Sequence, residues 1–161
     1  MADPTPVVRI NPSSVGEIPL YDGHGTLITI NGDPDIAFWE KEVQPPGIAA
    51  GDEIDTSTMF NTLWRTKIPG SLISMTEITL TAAYDPVLYT QILSQINTNQ
   101  GFTITFSDGS TVAIWAFLKD FTPQTTTEGE QPVADLTIVA TNWDPDNAVE
   151  AGPAVSETTG T

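Results

Sequence analysis

The chain contains no cysteine, which excludes a disulfide framework, a thiol nucleophile and a cysteine zinc site. Basic residues are scarce: Arg9, Lys41, Arg65, Lys67 and Lys119 stand against 21 acidic residues, for a formal net charge of −16. A nucleic-acid clamp releases counterions through clustered Lys and Arg, and here no two bases lie closer than Arg65 and Lys67, so that function is excluded. Docking on anionic lipid fails on the same balance. Histidine occurs once, as His24 between Gly23 and Gly25. A histidine metal cluster or a Ser-His-Asp system would have to be built around that loop residue. Apolar runs are too short to span a bilayer, and the opening Met1-Ala2-Asp3-Pro4-Thr5-Pro6 has neither the basic nor the apolar region of a signal peptide. A protein made and kept in the cytoplasm is the expectation.

What is present suits one folded domain. At 161 residues, roughly 68–70% of the unfolded chain's surface can be buried on folding. Hydrophobic residues make up 39% of the chain and charged residues 16%, so one core can form. Strong acidity serves solubility unless a partner gives it a further role.

Residues 1–25 carry four prolines around short extended pieces and read as an N-terminal arm. Residues 26–30 are β-branched, Asn31-Gly32-Asp33-Pro34 signals a turn, and residues 36–43 resume strand composition. Residues 44–60 hold Pro45-Pro46-Gly47, Gly51 and Asp52-Glu53-Ile54-Asp55 without a period of 2 or 3.6, and read as a long loop. A structureless stretch of that length inside a compact domain calls for a function. Residues 62–68 read as a strand. Residues 73–84 alternate, with Ile78, Leu80, Ala82 and Tyr84 in one phase, and form another. Asp85-Pro86 opens a helix ending near Asn97, with Leu88, Ile92 and Ile96 as an apolar stripe and Tyr89 and Leu93 beside it. Residues 102–106 and 111–117 flank Asp108-Gly109 as a hairpin, with a type I′ turn expected. Residues 133–141 form the last strand, and residues 144–161 have the composition of a disordered or partner-ordered acidic tail.

Catalytic motifs are missing: no G-x-S-x-G elbow, Walker loop, G-x-G-x-x-G fingerprint or H-E-x-x-H occurs. Asp33-Pro34-Asp35 and Asp144-Pro145-Asp146 invite a calcium reading, but Ala37 and Ala148 occupy the fifth loop positions and the pairs read as turn formers. No carboxylate spacing points to a glycosidase. Trp39, Trp64, Trp115 and Trp143 could form a sugar-stacking platform, which makes a carbohydrate-binding β-sandwich the alternative. Their expected fate on strands is core or interface packing. The reading is a non-enzyme without cofactor or metal.

Three segments carry a resemblance: residues 77–86 (Glu-Ile-Thr-Leu-Thr-Ala-Ala-Tyr-Asp-Pro), 101–110 (Gly-Phe-Thr-Ile-Thr-Phe-Ser-Asp-Gly-Ser) and 134–141 (Ala-Asp-Leu-Thr-Ile-Val-Ala-Thr). With Glu40-Lys41 and residues 65–70 (Arg-Thr-Lys-Ile-Pro-Gly), they resemble the tail tube, or major tail, proteins of long-tailed, siphovirus-like bacteriophages over residues 26–143. The resemblance implies a mainly β, sandwich or barrel-like domain with one flanking helix, packed as hexameric rings that stack into the virion tail. DNA passes through the lumen without specific binding. The implied partners are further copies, a tape measure protein, a tail terminator and tail-tip proteins. Tail terminators, head-tail joining proteins and the type VI secretion tube share the fold, and the long insertion favours the polymerising subunit.

Two sets of residues follow as expectations. Residues 44–60 make the ring-to-ring contact, with Asp52, Glu53 and Asp55 near the tip, Ile54, Met59 and Phe60 as apolar anchors, and Gly47 in the loop. Glu40, Glu42, Glu77 and Asp120, placed on strands where a carboxylate is solvated or costly, are candidates for an acidic lumen wall.

Overall fold

In the computed structural model, which describes residues 25–32 and 36–157, most of the chain is antiparallel β-structure. The strands are β1 Leu27–Asn31, β2 Ile36–Ala37, β3 Glu40–Gln44, β4 Ile48–Asp55, β5 Lys67–Met75 and β6 Ile78–Ala83. After the helix α1 Pro86–Gln95 come β7 Gln100–Thr105, β8 Thr111–Pro123, β9 Val133–Ala140, β10 Trp143–Asp144, β11 Val149–Glu150 and β12 Ala154–Ser156. The expected N-terminal arm (residues 1–24), His24 and Asp33-Pro34-Asp35 lie outside the described residues.

The main sheet runs β2-β1-β7-β8-β9-β6-β3, with β12 pairing the start of β8. Its two edge strands, β2 and β3, are consecutive in sequence and separated only by Phe38 and Trp39. Seven strands laid flat would place those edges nearly 30 Å apart at about 4.8 Å per strand, and two residues reach only about 10 Å. The sheet must therefore roll up until its edges meet. Phe38 is buried as the inward pin of the crossover and Trp39 is 84% exposed. Ala83 N donates to Trp39 O at 2.9 Å. Ile28 N on β1 donates to Glu40 Oε1 on β3 at 2.6 Å, so a side chain closes the seam where no strand ladder does.

Rolling explains the alternation. Ile78, Leu80 and Ala82 on β6, Ala134, Leu136 and Ile138 on β9, Ile114, Ala116 and Leu118 on β8, and Phe102 and Ile104 on β7 all point into one interior with Ile28 and Ile30. Each fully buried Ile, Leu or Phe contributes about 1.5–3 kcal/mol. Among the described residues Ile92 is the helical member of that core. The helix begins as the sequence indicates: Asp85 Oδ1 accepts from Val87 N at 3.0 Å and Pro86 follows the cap. It stops at Ile96 because Asn97 turns left-handed at φ 61° and donates its N–H to Leu118 O. The stripe differs from the expected one: Leu88, Gln91, Ile92 and Gln95 face the barrel, while Tyr89, Leu93 and Ile96 are exposed.

Three other expectations change. The β7–β8 hairpin forms, but only Gly109 has positive φ (84°). Gly109 N bonds Phe106 O and Phe106 N bonds Ser110 O, the pattern of a type I turn closed by a left-handed glycine, so the type I′ turn is not used. The segment expected to be a disordered or partner-ordered tail carries strands among its described residues: β10 pairs β11, and β12 adds to β8 through Val155 opposite Val112. The strand expected over residues 73–84 splits at Thr76-Glu77, so Ile73–Met75 leaves the barrel with β5.

The seam sets a test. Burial holds the Glu40 carboxyl above its ordinary value, while N–H bonds from Ile28 and from its own backbone oppose that rise. A raised folded pKa contributes stability below the unfolded value that is lost as pH rises through the folded one. Glu40→Gln keeps an acceptor for Ile28 without the charge. At pH 7 its melting temperature should equal or exceed that of the parent, with the gap closing as pH falls through the carboxylate range. Glu40→Ala orphans the buried N–H and should cost about 1–3 kcal/mol. Thermal melts that place the Gln and Ala variants equally low at pH 7 would show that the seam bond is not what Glu40 supplies.

Candidate assembly surfaces

The residues expected to form a long loop form half of a projecting arm. β4 and β5 pair only with each other, from Ile48 opposite Met75 at the base to Asp55 opposite Lys67 at the far end. The arm therefore spans residues 48–75, and it takes residues 67–68 and 73–75 from the two strands expected over 62–68 and 73–84. The reason the periodicity failed is physical: both faces of β4 are exposed along almost its whole length, so burial imposes no alternation. Gly47 is at the base, where its N–H donates to Thr76 Oγ1 at 2.7 Å and its carbonyl accepts from Thr76 N. Midway, register slips on both sides of the Gly51–Gly70 pair. A Cβ on Gly51 would lie 2.8 Å from Leu72 O, and one on Gly70 2.7 Å from Asp52 O. Only glycine lets the two backbones approach that closely.

The acidic cluster lies below the tip. Glu53 pairs with Lys67 across the arm, and Asp55 lies 3.8 Å from Arg65. Asp55 is held below the usual carboxylate range by hydrogen bonds from the Ser57 side chain and then its backbone N–H. The tip is a compact knob: Thr56 N donates to Thr66 O, Thr58 N to Asn61 Oδ1 at 2.8 Å, and Asn61 Nδ2 to Trp64 O at 2.9 Å. These bonds turn Met59, Phe60, Leu63 and Trp64 outward, each at least 82% exposed. The sequence indicated Met59 and Phe60 but missed Leu63 and Trp64, which had been placed in or beside a barrel strand. Ile54 is half exposed on the shaft, with Leu72 and Ile73 nearer the base at 81% and 70%. A run of large apolar residues without period, between two strand-like segments, was the available signal.

The four acidic candidates for a lumen wall are divided between different parts of the barrel surface. Glu40 opposes buried Ala82, and an irregularity at Lys41 puts Glu42 and Gln44 on the opposite, outer face. Glu42 there shares a shallow depression with Gln44, Thr79, Thr81, Asp135 and Thr137. Asp120 pairs in register with Thr137 and belongs to the same outer face. Glu77 precedes β6 and pairs with Lys119 at 2.6 Å. Asp135 was not anticipated. Gln124 Nε2 and Thr81 Oγ1 donate to it at 2.5 and 2.7 Å, and these bonds, Gln124's first, hold its carboxyl below the usual range. The outer face of β3, β6, β9 and the end of β8 is thus a threonine-rich wall with fixed negative charge.

None of the tryptophans is buried in the core. Trp39 is on the seam crossover, Trp64 on the arm tip, Trp115 half-buried on β8 and Trp143 45% exposed on β10. The ring contacts found among the described residues are Tyr84–Phe121 and Tyr89–Phe121, and none of them joins two tryptophans. Asp144 acts as a turn former, its carboxylate accepting from Asp146 N, Asn147 N and Asn147 Nδ2. Among the described residues no cluster of acidic or histidine side chains could hold a metal, and no helix is long and apolar enough to cross a membrane.

No protein-family model and no curated protein matches the chain. Solved structures match along most of it. A chain from the sheath-tube complex of an extracellular contractile injection system in the extended state aligns at TM-score 0.60 with 21% identity, covering 90% of this chain and 95% of that one. A chain of a native gene transfer agent virion aligns at 0.59 with 11% identity, covering 84% and 98%. One from the tail of an empty gene transfer agent particle, refined with C6 symmetry, aligns at 0.55 with 14% identity, covering 83% and 96%. At these identities the likeness establishes architecture: the rolled barrel, flanking helix and projecting arm of this chain are the tail tube fold.

Proposed function

We propose that the chain is the tube subunit of a long virion tail: six copies close a ring, rings stack through the arm, and the lumen conducts DNA into the host. The observation that carries this reading is the arm, a two-stranded extension whose strands pair only with each other and which ends in an uncovered apolar knob. Contiguous exposed apolar surface of this kind marks an interaction site. An enzyme's cleft gives no reason for such an extension, and a terminator has to stop stacking. Sixfold closure is supported by the C6 symmetry of the gene transfer agent tail that shares the fold. In this reading the partners are further copies, with a tape measure protein inside the growing tube and terminator and tail-tip proteins at its ends. Assembly takes place in the host cytoplasm.

The acidity then acquires a mechanism. A wall that attracted phosphate would hold the genome at many sites, whereas a negative one leaves it free to slide. The outer face carrying Glu42, Asp120 and Asp135 is the wall this reading selects. Glu40, committed to the seam, and Glu77, paired with Lys119, are the weaker members of the expected set.

Two outcomes follow. Replacing residues 52–69 by a two-glycine link removes no core residue, so the melting temperature should stay within a few degrees of the parent's while electron micrographs show no tubes. Normal tubes from the shortened chain would remove the arm from the assembly. Glu42→Lys with Asp120→Lys should leave tubes intact and slow DNA ejection, more strongly at low salt because phosphate attraction is screened as ionic strength rises. Ejection rates equal to the parent's at every salt concentration would put this face outside the channel.

A further inference from the structure

The arm base carries a hollow of about 690 Å³, lined by Ile48, Leu72, Ile73, Met75, Trp143 and Pro153, with Glu150 also in its lining. It lies where β4 and β5 leave the barrel and the β10–β11 hairpin crosses beside them. Its size falls within the ~300–1,000 Å³ of ordinary binding sites. Its apolar lining is left open although the chain holds a matching apolar knob. The two cannot meet within one molecule. Eight residues of β4, roughly 26 Å at about 3.3 Å each, separate the hollow from the knob along the paired strands.

We propose that the hollow at the arm base is the socket for the arm tip of another copy, with Leu63 and Trp64 as the inserted anchors. This rests on the tube reading and names the receiving surface within it. Charge selects the occupant. A chain of net charge −16 repels its own copies except where charge is absent or opposed. The tip from Thr58 to Trp64 has no charged residue, and next to it stands Arg65, whose side chain is 81% exposed and only 3.8 Å from Asp55. Lys67, the other base on the arm, is held closer to Glu53, so Arg65 is the arm's loosely held cation and can turn to a second molecule. Glu150 at the socket is the acid it would meet. A knob on one surface and a hole on another make a heterologous contact, which propagates from copy to copy as stacking requires.

The absence of cysteine makes the test direct. Leu63 is 86% exposed, and a Cβ on Gly152, which also lines the hollow, would meet nothing within 4 Å. Full-length Leu63→Cys and Gly152→Cys chains, mixed under assembly conditions and mildly oxidised, should give a disulfide-linked dimer that neither variant gives alone. Independently, Arg65→Glu should abolish sedimentable polymer, and adding Glu150→Arg to it should restore polymer. Parent tubes that form normally, with no cross-link in the mixture and no rescue by the second reversal, would overturn the socket and leave the tube reading standing. Cross-linking by Leu63→Cys alone would also overturn it, in favour of tip-to-tip contact. A parent chain that stays monomeric at high concentration and with tail-tip proteins present would overturn both.

Discussion

A two-residue crossover governs this molecule. β2 and β3 are neighbours in the chain and opposite edges of the sheet, and the short span of Phe38 and Trp39 leaves a rolled sheet as the only way to pair both. From that closure follow the shared interior of the strands, the seam bond from Ile28 to Glu40 and the place of the helix against the core. Closure also hides most edges of the sheet, a general defence against uncontrolled strand pairing. Association is left to the parts that project.

The division of labour is visible in polarity. The barrel holds its core aliphatic residues at 4% exposure or less, while the arm exposes Met59, Phe60, Leu63, Trp64 and Leu72 almost completely. A monomer gains nothing from that surface and pays in solubility, which the acidity of the remainder offsets. The arm's own acids and bases nearly balance, so charge repulsion between copies is weakest where contact is required. Its two strands are held by backbone pairing, and the Gly51–Gly70 approach lets it change register without losing that pairing.

Apolar patches elsewhere are consistent with a chain built for company. The helix flank of Tyr89, Leu93 and Ile96 is exposed beside the buried stripe of Leu88 and Ile92. Trp39 stands out from the seam. Substitutions on these surfaces should act on assembly more than on folding, because they contribute little to the core.

Composition and pattern alone determined much of the barrel. The alternation at residues 78–82 and 102–106, the Asp85-Pro86 helix start and the Asp108-Gly109 turn are local signals, because burial on one face and backbone caps leave their mark within a few residues. The scarcity of basic residues likewise excluded a nucleic-acid clamp without any coordinates. The arm was legible only as an anomaly. Two strands exposed on both faces have no burial period, so residues 44–60 read as loop and residues 62–68 and 73–84 read as two separate strands. Tertiary structure alone decided that β2 and β3 meet across a seam, that Glu40 turns inward while Glu42 turns outward, and that β12 returns to β8. Each depends on a pairing between residues distant in sequence, or on a one-residue irregularity that reverses side-chain direction, and local residue preferences encode neither.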